Sequence, residues 1–174
     1  MTMSHSSWFT PSDKAYDELS KMISQLSKKY STPSFEPHVT LLGSIIDPET
    51  EVFEKISSIA NQLQPFEVKL TNVGYQNEFF RCLFIKAEES KELIRSNSLA
   101  RKLFNRETDP PYMPHLSLMY GNFNPEIKEK IITEIGKEFN ISFEVENIRV
   151  VSYIPGHHDT SGWKIVKEFP LKKF

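Results

Sequence analysis

Apolar side chains recur along this chain with two different periods, and the alternation between them lays out the fold. Tyr16, Leu19, Ile23, Leu26 and Tyr30 keep helical spacing, the mark of an amphipathic helix lying on a sheet. Thr10-Pro11-Ser12-Asp13 reads as the start of that helix, with Thr10 as its cap and Asp13 in capping-box position, and Ser31-Thr32-Pro33 as its end. Val52, Phe53, Ile56, Ile59 and Leu63 predict a second helix opened by Pro48, where a proline suits the first turn. Leu93, Ala100, Leu103 and Phe104 predict a third over residues 89–104, and Ile127, Ile131 and Ile135 a fourth from Pro125. The stretches between them are rich in β-branched and aromatic residues and read as strands: 7–9, 38–46, 66–75, 79–87, 114–120, 141–153 and 163–171. Residues 1–6, with His5, read as a flexible tail. Many connections are too short for a regular parallel β-α-β array, so the class is α+β, a two-lobed antiparallel arrangement within one domain spanning residues 1–174.

Two of these strands repeat each other. Residues 37–41 read Pro-His-Val-Thr-Leu and residues 114–118 read Pro-His-Leu-Ser-Leu; Pro48-Glu49 recurs at the same offset as Pro125-Glu126. Side chains two apart on a strand share a face. His38 therefore shares a face with Thr40, and His115 with Ser117, while Val39, Leu41, Leu116 and Leu118 are free to bury. If the copies pack about a pseudo-twofold axis, both polar faces converge on one cleft. Two imidazoles can supply the base and the acid that cleavage of a phosphodiester needs, and two hydroxyls can donate to the non-bridging oxygens as charge builds there. A single His-x-Thr is weak evidence, since a lone strand histidine is usually structural. The duplicated register is what gives the pair weight. Neither strand carries a neighbouring carboxylate or cysteine, and no His-Glu-x-x-His or Cys-x-x-Cys occurs, so no metal and no other cofactor is expected.

Composition narrows the partners. The formal net charge of −2 lacks the basic footprint of a protein that tracks long nucleic acid, but leaves room for a small anionic substrate. The single cysteine, Cys82, excludes an internal disulfide and suits a reducing compartment; it reads as a buried strand residue. No apolar run approaches membrane-spanning length and residues 1–7 lack the apolar core of a signal peptide, so a cytoplasmic monomer with no membrane partner is expected.

The chain resembles the two-histidine (2H) phosphoesterases, and within them the plant and yeast type of cyclic phosphodiesterase. The resemblance rests on Trp8-Phe9-Thr10-Pro11, on Phe35-Glu36-Pro37-His38-Val39-Thr40-Leu41, and on Tyr112-Met113-Pro114-His115-Leu116-Ser117-Leu118 with Tyr120 shortly after. It implies a bilobal pseudo-twofold fold, with two antiparallel sheets facing a central cleft and helices outside. It also implies metal-independent hydrolysis of small cyclic phosphate nucleotides: ADP-ribose 1″,2″-cyclic phosphate, which arises downstream of tRNA splicing, to ADP-ribose 1″-phosphate, and nucleoside 2′,3′-cyclic phosphates to 2′-phosphates. His38 and His115 would be the acid–base pair, with His115 as base and His38 as acid. Thr40 and Ser117 would hold the phosphate, Tyr120 would hydrogen-bond the substrate, and Trp8 would stack on its base. Tyr120 lies at odd spacing from Ser117, so a bulge or strand end must turn it inward.

RNA-end processing, as a 2′,3′-cyclic-phosphate RNA hydrolase or a 2′–5′ RNA ligase-like activity, is the enzymatic alternative, and a non-catalytic nucleotide-binding module is the other. Arg81 could face the cleft or solvent, Arg101 and Arg106 sit near a loop that could close over substrate, and His157 and His158 occupy a Gly/Pro-bounded loop that is either solvated or a flap.

Overall fold

The computed structural model describes residues 2–173. In chain order the elements are β1 (Ser4–Phe9), α1 (Asp13–Tyr30), β2 (Val39–Ile45), α2 (Glu49–Ala60), β3 (Phe66–Gly74), a single 3-10 turn (Phe79–Arg81), β4 (Leu83–Ala87), α3 (Lys91–Leu103), β5 (His115–Met119), α4 (Pro125–Ile135), β6 (Glu138–Val145), β7 (Asn147–Tyr153) and β8 (Lys164–Pro170). The class is α+β, as the periodicities predict. The strands form one antiparallel sheet in the order β6-β3-β4-β5-β2-β1-β7-β8. Two four-stranded halves meet only where β2 pairs with β5, at the single partnership Val39↔Leu116. The two sheets implied by the resemblance are thus one sheet with a narrow waist, and the repeated motifs sit at that waist.

The helices cross between the halves. α1 leaves β1 in one half and packs on β5 and β6 in the other, while α3 leaves β4 and packs on β2. α2 covers β1, β7 and β8. α4 joins α1 through Lys29–Glu134 at 2.9 Å, and Phe123, just before α4, meets Tyr30 of α1 edge-on. Leu19, Ile23, Val39, Leu41, Leu116 and Leu118 lie in one continuous apolar cluster beneath these helices. That burial drives the arrangement, and strand alternation leaves the opposite face to the polar members of the repeats.

Four expectations need correction. Ser4 to Ser6 are not tail: β1 is a central strand paired with β2 and β7, and His5 is buried with Nε2 3.1 Å from a Glu49 carboxylate oxygen. Residues 79–81 form a 3-10 turn instead of strand, because Gln76 and Arg81 close on each other, the Gln76 N–H donating to the Arg81 carbonyl at 2.9 Å. The apolar stretch 141–153 divides at Glu146 into β6 and β7, which lie in opposite halves of the sheet. Ser12, not Thr10, is the N-cap of α1, and its side chain makes no capping bond.

Because each half is clamped by a helix from the other, unfolding is expected to be a single cooperative step. Leu116→Ala, at the waist and fully buried, should lower stability by about 2–5 kcal/mol in urea titrations. Separate transitions by near- and far-ultraviolet dichroism would show instead that the halves fold independently.

Candidate active site

Proline and histidine act together in each copy of the motif. A residue before proline is held extended, and here its carbonyl is presented to the imidazole two positions on. His38 Nδ1 donates to the Glu36 carbonyl at 2.7 Å, and His115 Nδ1 to the Met113 carbonyl at 2.8 Å. A carbonyl can only accept, so Nδ1 carries the proton in both rings and the neutral tautomer has its lone pair on Nε2. Among the described residues Nε2 of neither ring has a protein partner. Both imidazoles are oriented and both keep their reactive nitrogen free.

The waist register brings the four motif residues together. With Val39 opposite Leu116, extension by one residue either way sets His38 opposite Ser117 and Thr40 opposite His115. The two histidines then lie on a cross-strand diagonal, where neighbours are roughly 7–8 Å apart and their β-carbons somewhat closer. That spacing lets two ring edges flank one phosphate, with a hydroxyl beside each. The Ser117 hydroxyl donates to the Phe80 carbonyl over a long 3.4 Å, a bond readily given up for a phosphate oxygen. Two hydrogen bonds hold the β2 backbone that carries half of this square: the Tyr112 hydroxyl donates to the Thr40 carbonyl at 2.7 Å and Asn97 Nδ2 to the Leu41 carbonyl at 2.8 Å.

Burial sets the electrostatics. His38 is buried, and desolvation holds its pKa at about 4 against the backbone acceptor that favours the charged form; the nearby His115 adds a smaller push downward. The pKa of His115 is also below the ordinary histidine value, through burial first and the positive charge of Arg81 last. Arg81 thus reaches the site electrostatically. Its own contacts are weak, 3.4 Å to the Gln76 side-chain oxygen and 4.0 Å to Glu78. Among the described residues no cluster of histidine, cysteine or carboxylate side chains suited to a metal ion is present.

The family described as cyclic phosphodiesterase-like protein matches residues 3–173. The chain belongs to it. It is 28% identical over 125 residues to the cyclic phosphodiesterase of Arabidopsis thaliana, covering 72% of this chain and 69% of that protein. It is 26% identical over 146 residues to the 2′,3′-cyclic-nucleotide 3′-phosphodiesterase of Yarrowia lipolytica, covering 78% of this chain and 65% of that one. The crystal structure of E. coli LigT complexed with 3′-AMP superimposes with a TM-score of 0.66 at 16% identity, covering 99% of this chain and 100% of that one, and shares its fold. No described helix is long and apolar enough to cross a membrane.

In this family member an aromatic cluster packs round the histidines, and it alters the part expected of Trp8. The indole is only 4% exposed. One face lies flat on His38, with ring centroids 3.6 Å apart and 7° between planes, and its N–H donates to the Ser6 hydroxyl at 2.9 Å. The face that lies on His38 is placed to position the imidazole, which leaves only the other face, the one toward the neighbouring hollow, for a base. Trp163, half-buried and 6.3 Å from His38, has the more open ring. Tyr120 does turn inward: β5 ends at Met119, and the chain swings through Gly121 at φ +152°, where a β-carbon would come within 2.4 Å of the Phe123 ring. Its ring stacks on Phe35 at 3.9 Å, and desolvation raises the pKa of its buried phenol, with the Ser117 side chain a smaller influence in the other direction.

The remaining candidates divide. His158 is exposed but stacks on Phe79 at 3.7 Å, so the 154–163 loop from β7 reaches across to the other half, and Thr160 ties the same loop to the Ser34 carbonyl at 2.5 Å. Arg106 pairs with Asp109 at 2.7 Å and donates to the Gly43 carbonyl, and Arg101 donates to the Asp109 and Pro110 carbonyls; both shape the 104–111 loop. Cys82 is buried, its thiol pKa raised by desolvation. Phe35, Tyr112 and Trp163 are the neighbours that periodicity alone gave no reason to single out. The one local signal for the two that flank the motifs is an aromatic residue close before each Pro-His.

Trp8→Ala should expose His38 to water and let its pKa climb from about 4 toward the ordinary ~6.5. Proton NMR of the His38 ring would report this, and an unchanged titration would deny Trp8 the positioning role.

Proposed function

We propose that this phosphodiesterase hydrolyses cyclic phosphate nucleotides by acid–base catalysis from His38 and His115, without a metal. Its substrates in this reading are nucleoside 2′,3′-cyclic phosphates, giving 2′-phosphates, and ADP-ribose 1″,2″-cyclic phosphate, giving ADP-ribose 1″-phosphate. The carrying observation is the matched anchoring of the two rings, each with Nδ1 on an upstream carbonyl and Nε2 free, on a diagonal across the waist. The names of the Arabidopsis and Yarrowia relatives support the substrate class.

In the reaction one Nε2 takes a proton from water as the water oxygen bonds to phosphorus. The bond from phosphorus to the 3′ oxygen of a nucleoside substrate, or to the 2″ oxygen of ADP-ribose 1″,2″-cyclic phosphate, breaks, and the other imidazolium delivers its proton to that oxygen. Thr40 and Ser117 donate to the non-bridging oxygens, where charge accumulates, and Arg81 adds a positive field at the His115 side. The resemblance assigns His115 as base and His38 as acid. Under that assignment His38 is neutral in the empty site and gains its proton beside the anionic diester, whose charge favours the imidazolium.

His38→Ala and His115→Ala should each lower kcat by about 10²–10⁴-fold, and the double variant should be little worse than either, because the pair acts as a unit. Product analysis with EDTA present reads both the rate and the position of the phosphate. Near-full turnover by either single variant would defeat the assignment, and activity restored only by a divalent ion would defeat the metal-independent reading.

The pH profile carries a second expectation. Both folded-state pKa values are lowered, so the protonated partner is lost on raising pH before the ordinary histidine range is reached. The bell in kcat/KM, a property of the free enzyme, should therefore centre below about 6.5, and the bell in kcat should lie at higher pH because bound substrate stabilises the imidazolium. Coincident profiles centred above 7 would contradict this.

A further inference from the structure

A hollow of about 380 Å³ opens beside Trp8 and Trp163, the indoles next to His38, between the segment that leads into β2, the end of the β7–β8 loop and the faces of β7 and β8. Trp8 and Trp163 bound it toward the catalytic pair, Val151 and Ile165 give it apolar wall, and Ser34 and Glu36 rim it. The volume falls within the usual range for a small-molecule site. Ile165 is 43% exposed here, a large apolar surface that a flat ring would cover. Trp163 touches both the hollow and the site, 5.8 Å from Trp8 and 6.3 Å from His38. A nucleotide with its cyclic phosphate between the imidazoles would thus have its base reach this hollow across one ribose.

Resting on the function proposed above, we infer that the hollow seats the base and that Glu36 makes the site selective for guanine. The Glu36 main chain already orients His38 through its carbonyl, so its side chain starts at the edge of the catalytic centre. The Tyr16 hydroxyl donates to one carboxylate oxygen and steadies it. Among the described residues no cation pairs with Glu36, and the nearby Arg149 is engaged by Glu168 at 2.7 Å. A carboxylate only accepts, and it has lone pairs to spare after one hydroxyl bond. Guanine is the one common base with two adjacent donors, N1–H and the 2-amino group, on its Watson–Crick edge. Adenine and cytosine set an amino group beside an acceptor nitrogen, and uracil sets one N–H between two carbonyls. Only guanine satisfies both carboxylate oxygens without facing one of them with a lone pair.

The test is kcat/KM for the four nucleoside 2′,3′-cyclic phosphates with the wild-type enzyme and Glu36→Gln. Charge-assisted hydrogen bonds of this kind correspond to about 10–100-fold in preference. The wild type should favour guanosine over adenosine by at least about 10-fold. Glu36→Gln keeps the shape but offers one acceptor and one donor, so guanosine should lose that advantage, adenosine should gain, and uridine should change little. Equal kcat/KM across the bases, or a guanosine-to-adenosine ratio unmoved by Glu36→Gln, would overturn the inference. If none of the four is hydrolysed, the failure belongs to the function proposed above. Titration calorimetry with guanosine 2′-phosphate and adenosine 2′-phosphate then reads the hollow directly: tighter binding of the guanosine compound, abolished by Glu36→Gln, upholds the inference, and equal affinities overturn it.

Discussion

The structure turns on one strand pairing. β2 and β5 touch at Val39 and Leu116, each the residue just after a motif histidine, so the meeting of the two halves and the meeting of the two imidazoles are the same event. Antiparallel register at a pseudo-twofold junction leaves little freedom. Once these two fully buried side chains are set under the helices, His38, Thr40, His115 and Ser117 share the other face. A slip of one residue would send all four into the core, and apolar burial opposes that slip from both strands at once.

Burial of the site has a chemical consequence. The apolar surroundings that fix the His38 ring, the Trp8 stack above all, also keep the imidazole uncharged in the empty site. The same low dielectric strengthens its interaction with an arriving anion. In the proposed reaction substrate and proton are therefore coupled: the negative diester favours the charged imidazole. Rigidity comes from the backbone, through the two carbonyls that hold Nδ1 and through Tyr112 and Asn97, which hold the β2 carbonyls beside the waist. These four bonds let the hydroxyls and Nε2 atoms stay available without the strand itself moving.

The crossed helices and the 154–163 loop answer the weakness of such a narrow waist. One backbone partnership could not hold two halves of a sheet in register, but α1 and α3 each bury an apolar face on the half they did not come from. On the side away from the helices, His158 on Phe79 and Thr160 on the Ser34 carbonyl tie the β7–β8 loop over the aromatic cluster. The cleft is thereby bounded on its apolar rim by side chains from both repeats and from the last third of the chain.

What was legible in the sequence was everything set by short-range period. Four helices, the His strands, and the side-chain parity of His38 with Thr40 and of His115 with Ser117 follow from spacing, because strand and helix geometry is local. The flexible reading failed at Ser4 to Ser6 because a polar run such as Ser4-His5-Ser6-Ser7 becomes a central strand only when β2 and β7 supply partners from far along the chain; Met1 lies outside the described residues. The undivided reading of 141–153 failed for a like reason, since apolar alternation cannot say which half of a sheet a strand joins. Trp8 could be recognised as part of the site, but not that its face is spent on His38; nor does Trp163 declare itself from 125 residues away. Which aromatic supports an imidazole, which stays open, and how far an imidazole's pKa is depressed are set by packing and desolvation. Those are properties of neighbours in space, and only the tertiary structure decided who the neighbours are.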